Sequence, residues 1–321
     1  MGNKRDISID ILKFFAVILI TNSHMELLYG KYSVLATGGA IGDVLFFFCS
    51  GFTLFLGRMS RFDNWYKRRI NRIYPTVFAW SIFSTLLFSN NKNIIDIILY
   101  GGGWFVSCIM IYYVILYFIR KFMIDKLKIA FLSVSFIIII WYLLIDNTPD
   151  YNMYGNTYFK WGHYFLFMLL GAIIGISNGN FRFKFKTDFI KLIVSLILFY
   201  GILILGKKFV FVHNIQIISL IPLLGITFYF YKSCNSNEIK KLYYNKYTGS
   251  IIKAVGGLCL EVYLVQSSLF TDKMNNLFPL NLLIMLLIII AVAYVLRCMA
   301  RVFSQTFKDG EYDWKAVFKL Y

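Results

Sequence analysis

Charge is scarce in this 321-residue chain, with only 15% Asp, Glu, Lys and Arg against about 25% in an average soluble domain. A folded chain of this length with so few charges cannot cover its own surface with polar groups. That excludes a soluble enzyme and a disordered protein. Histidine is scarcer still, three residues in all, and no H-E-x-x-H occurs, so no metal centre is expected. The five cysteines (Cys49, Cys108, Cys234, Cys259 and Cys298) form no C-x-x-C pair. They suggest neither a zinc site nor a disulfide framework and read as buried free thiols. No Gly-rich phosphate loop of the Walker or Rossmann type is present. What the chain has instead is apolar surface, with 59% hydrophobic residues and a mean hydropathy of +0.66. That excess also excludes a nucleic-acid-binding domain, despite a net charge of +17. The expected class is an all-α integral membrane protein.

About 20 mostly apolar residues cross roughly 30 Å of hydrocarbon. Scanning on that basis predicts ten spans: 7–28, 38–57, 73–90, 102–119, 129–146, 161–178, 190–206, 213–231, 251–270 and 280–304. The Lys and Arg distribution orients them. With both termini cytoplasmic, 26 of these residues fall on inner segments: Lys4 and Arg5, then the groups Arg58–Arg72, Arg120–Lys128, Arg182–Lys191, Lys232–Lys253 and Arg297–Lys319. Only Lys31, Lys92, Lys160, Lys207, Lys208 and Lys273 fall outside, and Lys13 lies within the first span. The positive-inside rule demands that imbalance, so the basic excess is topological and needs no acidic partner.

Lys4 and Arg5 precede an apolar run, as in a signal peptide. However, Asp10 and Lys13 interrupt the run and no small-residue cleavage site follows, so it is expected to stay as the first span. Residues 1–304 are expected to form a single transmembrane domain. The tail 305–321 mixes Phe307, Tyr312, Trp314 and Phe318 with lysines, as a short cytoplasmic or interfacial anchor does. Ile94–Tyr100 is too short to span and belongs at the outer interface or in a re-entrant turn. No inverted repeat marks a two-half transporter. The Ile-, Asn-, Lys- and Phe-rich composition is that of an AT-rich bacterial source, which places the protein in a bacterial cytoplasmic (inner) membrane as a multi-pass protein.

Ionisable residues inside spans are costly and therefore candidates for function. The first span holds Asp10, Lys13 and His24. On a continuous helix Lys13 and His24, eleven residues apart, share a face at a separation of roughly 16 Å, and Asp10 lies one turn before Lys13 on the same side. One stripe then carries a carboxylate and an amine near the cytoplasm and an imidazole near the outer surface. In a low-dielectric pocket that imidazole suits a general base; as lone groups, Lys13 would snorkel and His24 would cap the interface. In the second span Ser50-Gly51 either admits close helix packing or brings a hydroxyl to a ligand, and Asp43 reads as an exposed cap. The basic run before Pro75 places Arg69 and Arg72 at i,i+3, suited either to phosphates of a ligand or to anionic lipid headgroups. Trp104-Phe105 opens the fourth span. Glu261 falls at the centre of the ninth, where it serves a pocket or pairs with a packing partner. His163 and His213 stand at span starts and read as interfacial.

These motifs together resemble the membrane-bound acyltransferase family 3. The likeness lies in Arg5, Asp10 and Lys13 followed after ten residues by His24; in Phe47-Phe48-x-Ser50-Gly51; in Arg69-x-x-Arg72 with Pro75; and in Trp104-Phe105. The segments Gly162–Gly175 and Leu260–Gln266 resemble later, less specific stretches. Gln266 stands where many members have His, which removes a second imidazole. The resemblance implies a bundle of about ten spans that moves an acyl group, usually acetyl, from cytoplasmic acyl-CoA to a hydroxyl of an extracytoplasmic or lipid-linked glycan. It implies His24 and Asp10 as catalytic residues, Lys13, Arg69 and Arg72 as donor-binding residues, and Ser50, Trp104 and Glu261 as pocket residues. Acetyl-CoA or another acyl-CoA would be a co-substrate, with no tightly bound cofactor. The implied partners are membrane lipid and a glycan or lipid-linked saccharide acceptor, with no nucleic acid. The alternative is a transporter or flippase for a polysaccharide precursor, and a third reading is an inactive assembly partner.

Overall fold

A computed structural model describes residues 6–57, 59–88, 93–145, 148, 151–177 and 181–320. Lys4, Arg5, Arg58 and Lys92 lie outside the described residues. The described residues form helices and no strand. In chain order these are α1 (Ile7–Ser23), α2 (Glu26–Tyr29), α3 (Gly39–Leu56), α4 (Phe62–Phe88), α5 (Ile94–Tyr100), α6 (Gly103–Phe122), α7 (Leu127–Leu143) and α8 (Phe159–Ile176). There follow α9 (Phe185–Gly206), α10 (Val210–Asn214), α11 (Leu220–Cys234), α12 (Asn237–Tyr244), α13 (Lys246–Gly257), α14 (Cys259–Leu269), α15 (Leu280–Thr306) and α16 (Trp314–Val317).

Seven of these are long and apolar enough to cross a membrane: α3, α6, α7, α8, α9, α11 and α15. The number rises to nine if α1 with the segment from Glu26 to Leu35, and α13 with α14, each cross as one bent span. Beyond their first turns the outward-facing side chains on α7 and α9 are mostly apolar, with Leu132, Phe136 and Ile197 each about two-thirds exposed. Such faces are stable only against hydrocarbon. The chain is a multi-pass membrane protein.

Two spans depart from the continuous helices expected. The first stops at Ser23 rather than running to 28, and the chain bends by 64° before its next helical segment. The polar run Thr21-Asn22-Ser23-His24 is the cause, because its side chains compete for the backbone. The Ser23 hydroxyl donates to Ile20 O at 2.8 Å. The Asn22 amide donates to Leu35 O at 3.0 Å and Thr37 O at 2.9 Å, and its oxygen accepts from Tyr29 OH at 2.6 Å. The His24 amide then falls back on Thr21 O at 3.2 Å, a tightened final turn. The ninth span breaks at Leu258, with a 74° bend between α13 and α14.

The chain divides into two compact units, Met1–Ala16, Ala40–Arg58 and Ile119–Ser250 forming the first, and Val17–Gly39, Met59–Phe118 and Ile251–Tyr321 the second. In the first, α9 packs on α11 and α7 on α8. The helices α3 and α8 meet backbone to backbone: a Cβ on Gly51 would lie 1.9 Å from Met168 O, and one on Gly171 2.1 Å from Phe48 O. Ser50-Gly51 is thus a site of close packing. Asp6 caps α1 by accepting from Ser8 N at 2.9 Å and also accepts from Tyr231 OH at 3.1 Å. Asp188 on α9 pairs with Lys232 on α11 at 2.7 Å. In the second unit α15 packs along α4 and α14. Asn281 at its start donates to Leu28 O at 2.8 Å, and α16 returns onto it through Tyr294 OH donating to Phe318 O at 2.7 Å.

Any side chain at Gly51 or Gly171 must push α3 and α8 apart. Gly51→Ala and Gly171→Ala are each expected to cost about 2–3 kcal/mol of stability, measured by unfolding in detergent micelles. Gly201→Ala, where nothing lies within 4 Å, should be neutral or slightly stabilising. Equal stability of all three proteins would contradict the close approach.

Candidate functional site

Of the residues singled out in the sequence, the second unit holds His24, Arg69, Arg72, Trp104 and Glu261, and the first holds Asp10, Lys13 and Ser50. Arg69 and Arg72 lie on the first half of α4, one turn apart. Arg72 is exposed, whereas Arg69 is half-buried. The Arg69 guanidinium sits 4.6 Å from the Trp65 ring centre and 5.8 Å from that of Tyr113. Trp65 is fully buried and held against Tyr117 at 5.7 Å. Cation–π contact with the buried Trp65 ring and with Tyr113 holds the guanidinium in place, which suits recognition of an anion. The sequence reading missed both rings: the i,i+4 spacing of Trp65 and Arg69 on one helix was the available signal for the first, and Tyr113, on α6, carried none.

His24 follows the last residue of α1 and is exposed, which corrects the expected enclosed pocket. Trp104, in the first turn of α6, is half-buried and lies edge-on to Phe105 at 5.9 Å. The start of α6 is pinned by Tyr263 of α14, whose hydroxyl accepts from Phe105 N at 3.4 Å. Gly103 there has φ +65°, and a Cβ would lie 2.9 Å from the Tyr263 oxygen, so both backbone and space require glycine.

Glu261 does not sit mid-helix as expected. It lies in the first turn of α14, just past the break, where the half-helix dipole favours a carboxylate. Its partner is Arg297 of α15, whose Nη2 reaches Oε2 at 2.9 Å and whose Nε reaches Oε1 at 3.2 Å. The same guanidinium donates to Gly257 O, a carbonyl opened by the break, and the Cys259 thiol donates to Gly256 O at 2.9 Å. Glu261 is therefore one half of an ion pair that holds a broken helix together.

In the first unit Asp10 is buried and accepts from Tyr243 OH of α12 at 3.0 Å. Lys13 and Ser50 are half-buried. Asp43 is no exposed cap, because Lys160 and Tyr164 of α8 face its carboxylate. Lys160, expected in an outer loop, is buried in the first turn of α8. His163 is fully buried, not interfacial, and lies against Tyr154, Phe159 and Tyr164. His213, half-buried, meets Thr148 O through its Nε2 at 2.9 Å. In the loop before α8, burial pushes the Tyr151 phenol up to about 12 and raises that of Tyr154 as well, so both keep their protons at neutral pH. All five cysteines are free, four buried and Cys298 half-buried.

A protein-family model described as an acyltransferase domain matches residues 6–298, nearly the whole chain. No curated protein and no solved structure gives a significant match.

The ion pair at the break has a measurable signature. Removing one partner of a buried pair leaves the other uncompensated and costs about 3–5 kcal/mol. Glu261→Gln and Arg297→Met should each destabilise on that scale. The double variant should lose less than the two singles combined, in a double-mutant cycle read by unfolding in detergent. Additive losses would mean that the pair carries no coupling.

Proposed function

Because this chain belongs to acyltransferase family 3, we propose that it is a membrane O-acyltransferase, and specifically an O-acetyltransferase, acting on a cell-surface glycan. The donor is cytoplasmic acetyl-CoA, used as a co-substrate. The acceptor is a hydroxyl of an extracytoplasmic or lipid-linked saccharide. The observation that carries this reading is the acyltransferase-domain match over residues 6–298, which takes in every site residue named above. The proposed topology has ten spans, with the apolar half of α4 added to the nine others, both termini in the cytoplasm of a bacterial inner membrane, and 305–321 as a tail. The uneven distribution of Lys and Arg supports it.

Each residue is given one role. Arg69 and Arg72 bind the donor's phosphates, a task to which the stacked guanidinium of Arg69 is suited. Lys13 adds a cation on the donor side. Ser50, Trp104 and Glu261 shape the binding regions of their units. His24 accepts the proton of the acceptor hydroxyl, and Asp10 supports the chemistry as a buried carboxylate. The hydroxyl oxygen attacks the thioester carbonyl, a new C–O bond forms and the C–S bond breaks. The leaving thiolate takes up the proton held by His24. Direct transfer of this kind needs no covalent enzyme intermediate.

Membranes containing the protein should release free CoA from acetyl-CoA when a mixed surface-glycan extract is added. His24→Ala should lower kcat by about 100-fold or more, the usual contribution of a general base. Arg69→Lys should raise the KM for acetyl-CoA with little change in kcat, since an ammonium keeps the charge but loses the planar fork. Full activity of His24→Ala would remove that residue from the chemistry. No turnover by the wild type, together with saccharide flux in proteoliposomes, would replace the transferase by a flippase.

A further inference from the structure

The chain after α15 does not trail away from the bundle. Gly310, at φ +124°, turns it, and residues 312–319 run back beside the last turns of α15. Tyr312 OH meets Thr306 Oγ1 at 2.9 Å, and Asp313 N donates to Gln305 Oε1 at 2.8 Å. Asp313 then caps the single turn of α16 by accepting from Ala316 N at 3.0 Å. Further back along α15, Arg301 donates to Val317 O at 2.9 Å and to Lys319 O, and Tyr294 OH donates to Phe318 O at 2.7 Å. Val317 is buried beneath, whereas Trp314 and Phe318 are each more than half exposed. Tyr312, Trp314 and Phe318 form a ladder of near-parallel rings, with centres 5.6 and 6.1 Å apart and planes within 29° and 19° of each other.

The level of this ladder and the chemistry of its support select what covers it. Arg297 is the first charged residue of α15, about 25 Å from the helix start. Hydrocarbon about 30 Å deep, entered at Leu280, therefore ends close to Arg301, beside the ladder. Three successive carbonyls, those of Val317, Phe318 and Lys319, are answered by side chains of α15. Water would answer them unaided, but at the edge of hydrocarbon they must be met from within the chain. The outward face of α15 leads into the ladder, with Leu283, Leu287 and Val295 each about half exposed. In this stretch Lys308, Lys315 and Lys319 are balanced by Asp309, Glu311 and Asp313, so no excess charge selects acidic headgroups. Tyr and Trp rings settle where acyl chains meet headgroups. We propose that Tyr312, Trp314 and Phe318 seat the returning tail in the headgroup–acyl boundary of the leaflet at the C-terminal end of α15, with phospholipid as the partner whatever its charge. In the proposed topology that is the cytoplasmic leaflet. Nothing in this docking depends on the transferase activity.

The full chain is reconstituted in two kinds of vesicle, pure phosphatidylcholine and an equal mixture with phosphatidylglycerol. A phosphatidylcholine carrying a diazirine high on its acyl chain is photolysed in one sample, and hydroxyl radicals are generated in the water of a parallel one. Both modifications are mapped by mass spectrometry. Tyr312, Trp314 and Phe318 should take the lipid label as strongly as Leu283, Leu287 and Val295 in both vesicles. They should be oxidised severalfold less than in the protein unfolded in dodecyl sulfate. Oxidation without lipid label shows a water-exposed tail and overturns the docking. Absence of both modifications shows a protein cover, such as a second copy, and overturns it too. A lipid label severalfold stronger with phosphatidylglycerol shows that headgroup charge holds the tail and rejects the seat described here.

Variants assign the hold to the rings. Trp314→Ser together with Phe318→Ser keeps every backbone group that α15 answers, yet it should lower the lipid label over residues 312–320 severalfold and restore oxidation of Tyr312. The label on Leu283 and Leu287 should not change, which shows that α15 is still folded and inserted. Lys315→Gln together with Lys319→Gln should leave the tail label as it is in the wild type. Full labelling of the tail in the double-serine variant rejects the rings as the anchor, and a severalfold loss in the double-glutamine variant assigns the anchor to charge.

Discussion

Hydrocarbon supplies no hydrogen bonds, so a chain that crosses it must answer every opened carbonyl and every carried charge from within itself. Arg297 does both at once. Its guanidinium reaches the carbonyl that Gly257 gives up where α13 ends and the carboxylate of Glu261 where α14 begins. Neither half of that arrangement stands alone. A broken helix without the arginine would leave a bare carbonyl, and the arginine without the glutamate would be an uncompensated charge costing several kcal/mol. The break, the ion pair and the placement of α15 against α14 are thus one constraint seen three ways. The first unit meets the same demand with Asp188 and Lys232 between α9 and α11, and with Asp6 shared between the α1 cap and Tyr231.

The long apolar helices were legible because length and composition alone decide them, and α3, α6, α8, α9 and α15 lie where the hydropathy placed them. The two bends were not. Nothing in a hydropathy window separates Thr21-Asn22-Ser23-His24 continuing a helix from the same residues ending one. The outcome depends on Leu35, Thr37 and Tyr29 returning to take the Asn22 side chain. The break after Gly256-Gly257 in the ninth span was not foreseen, and Arg297, 36 residues after Glu261, was counted only as a cytoplasmic charge. A partner that far along the chain is set by packing, which periodicity does not report.

The same distinction runs through the candidate site residues. Arg69 and Arg72 fall one turn apart on α4, as their spacing in a single helix requires, whereas Trp65, one turn further back, was not singled out. His163 was misplaced for the opposite reason. Its position at the start of a span suggests water, but the loop carrying Tyr154 closes over it, and a loop's path has no signature in a single sequence. Asp43 was misjudged alike, since its neighbours Lys160 and Tyr164 belong to a helix more than a hundred residues later.

These cases suggest how paired and unpaired polarity divide the work of the molecule. Asp6, Asp10, Asp188 and Glu261 all have identified partners within their own units, so their burial needs no ligand to account for it. A domain has only about 5–15 kcal/mol of net stability, and a buried orphan removes about 1–3 kcal/mol of it, so few can be retained without a compensating purpose. His163 follows the same rule, because its ring, closed in by Tyr154 and Tyr164, hydrogen-bonds the backbone of Phe159 one turn back on α8. Burial of a polar group in this chain is thus answered either across two helices, as at Glu261 and Arg297, or within one turn of the same helix, as here.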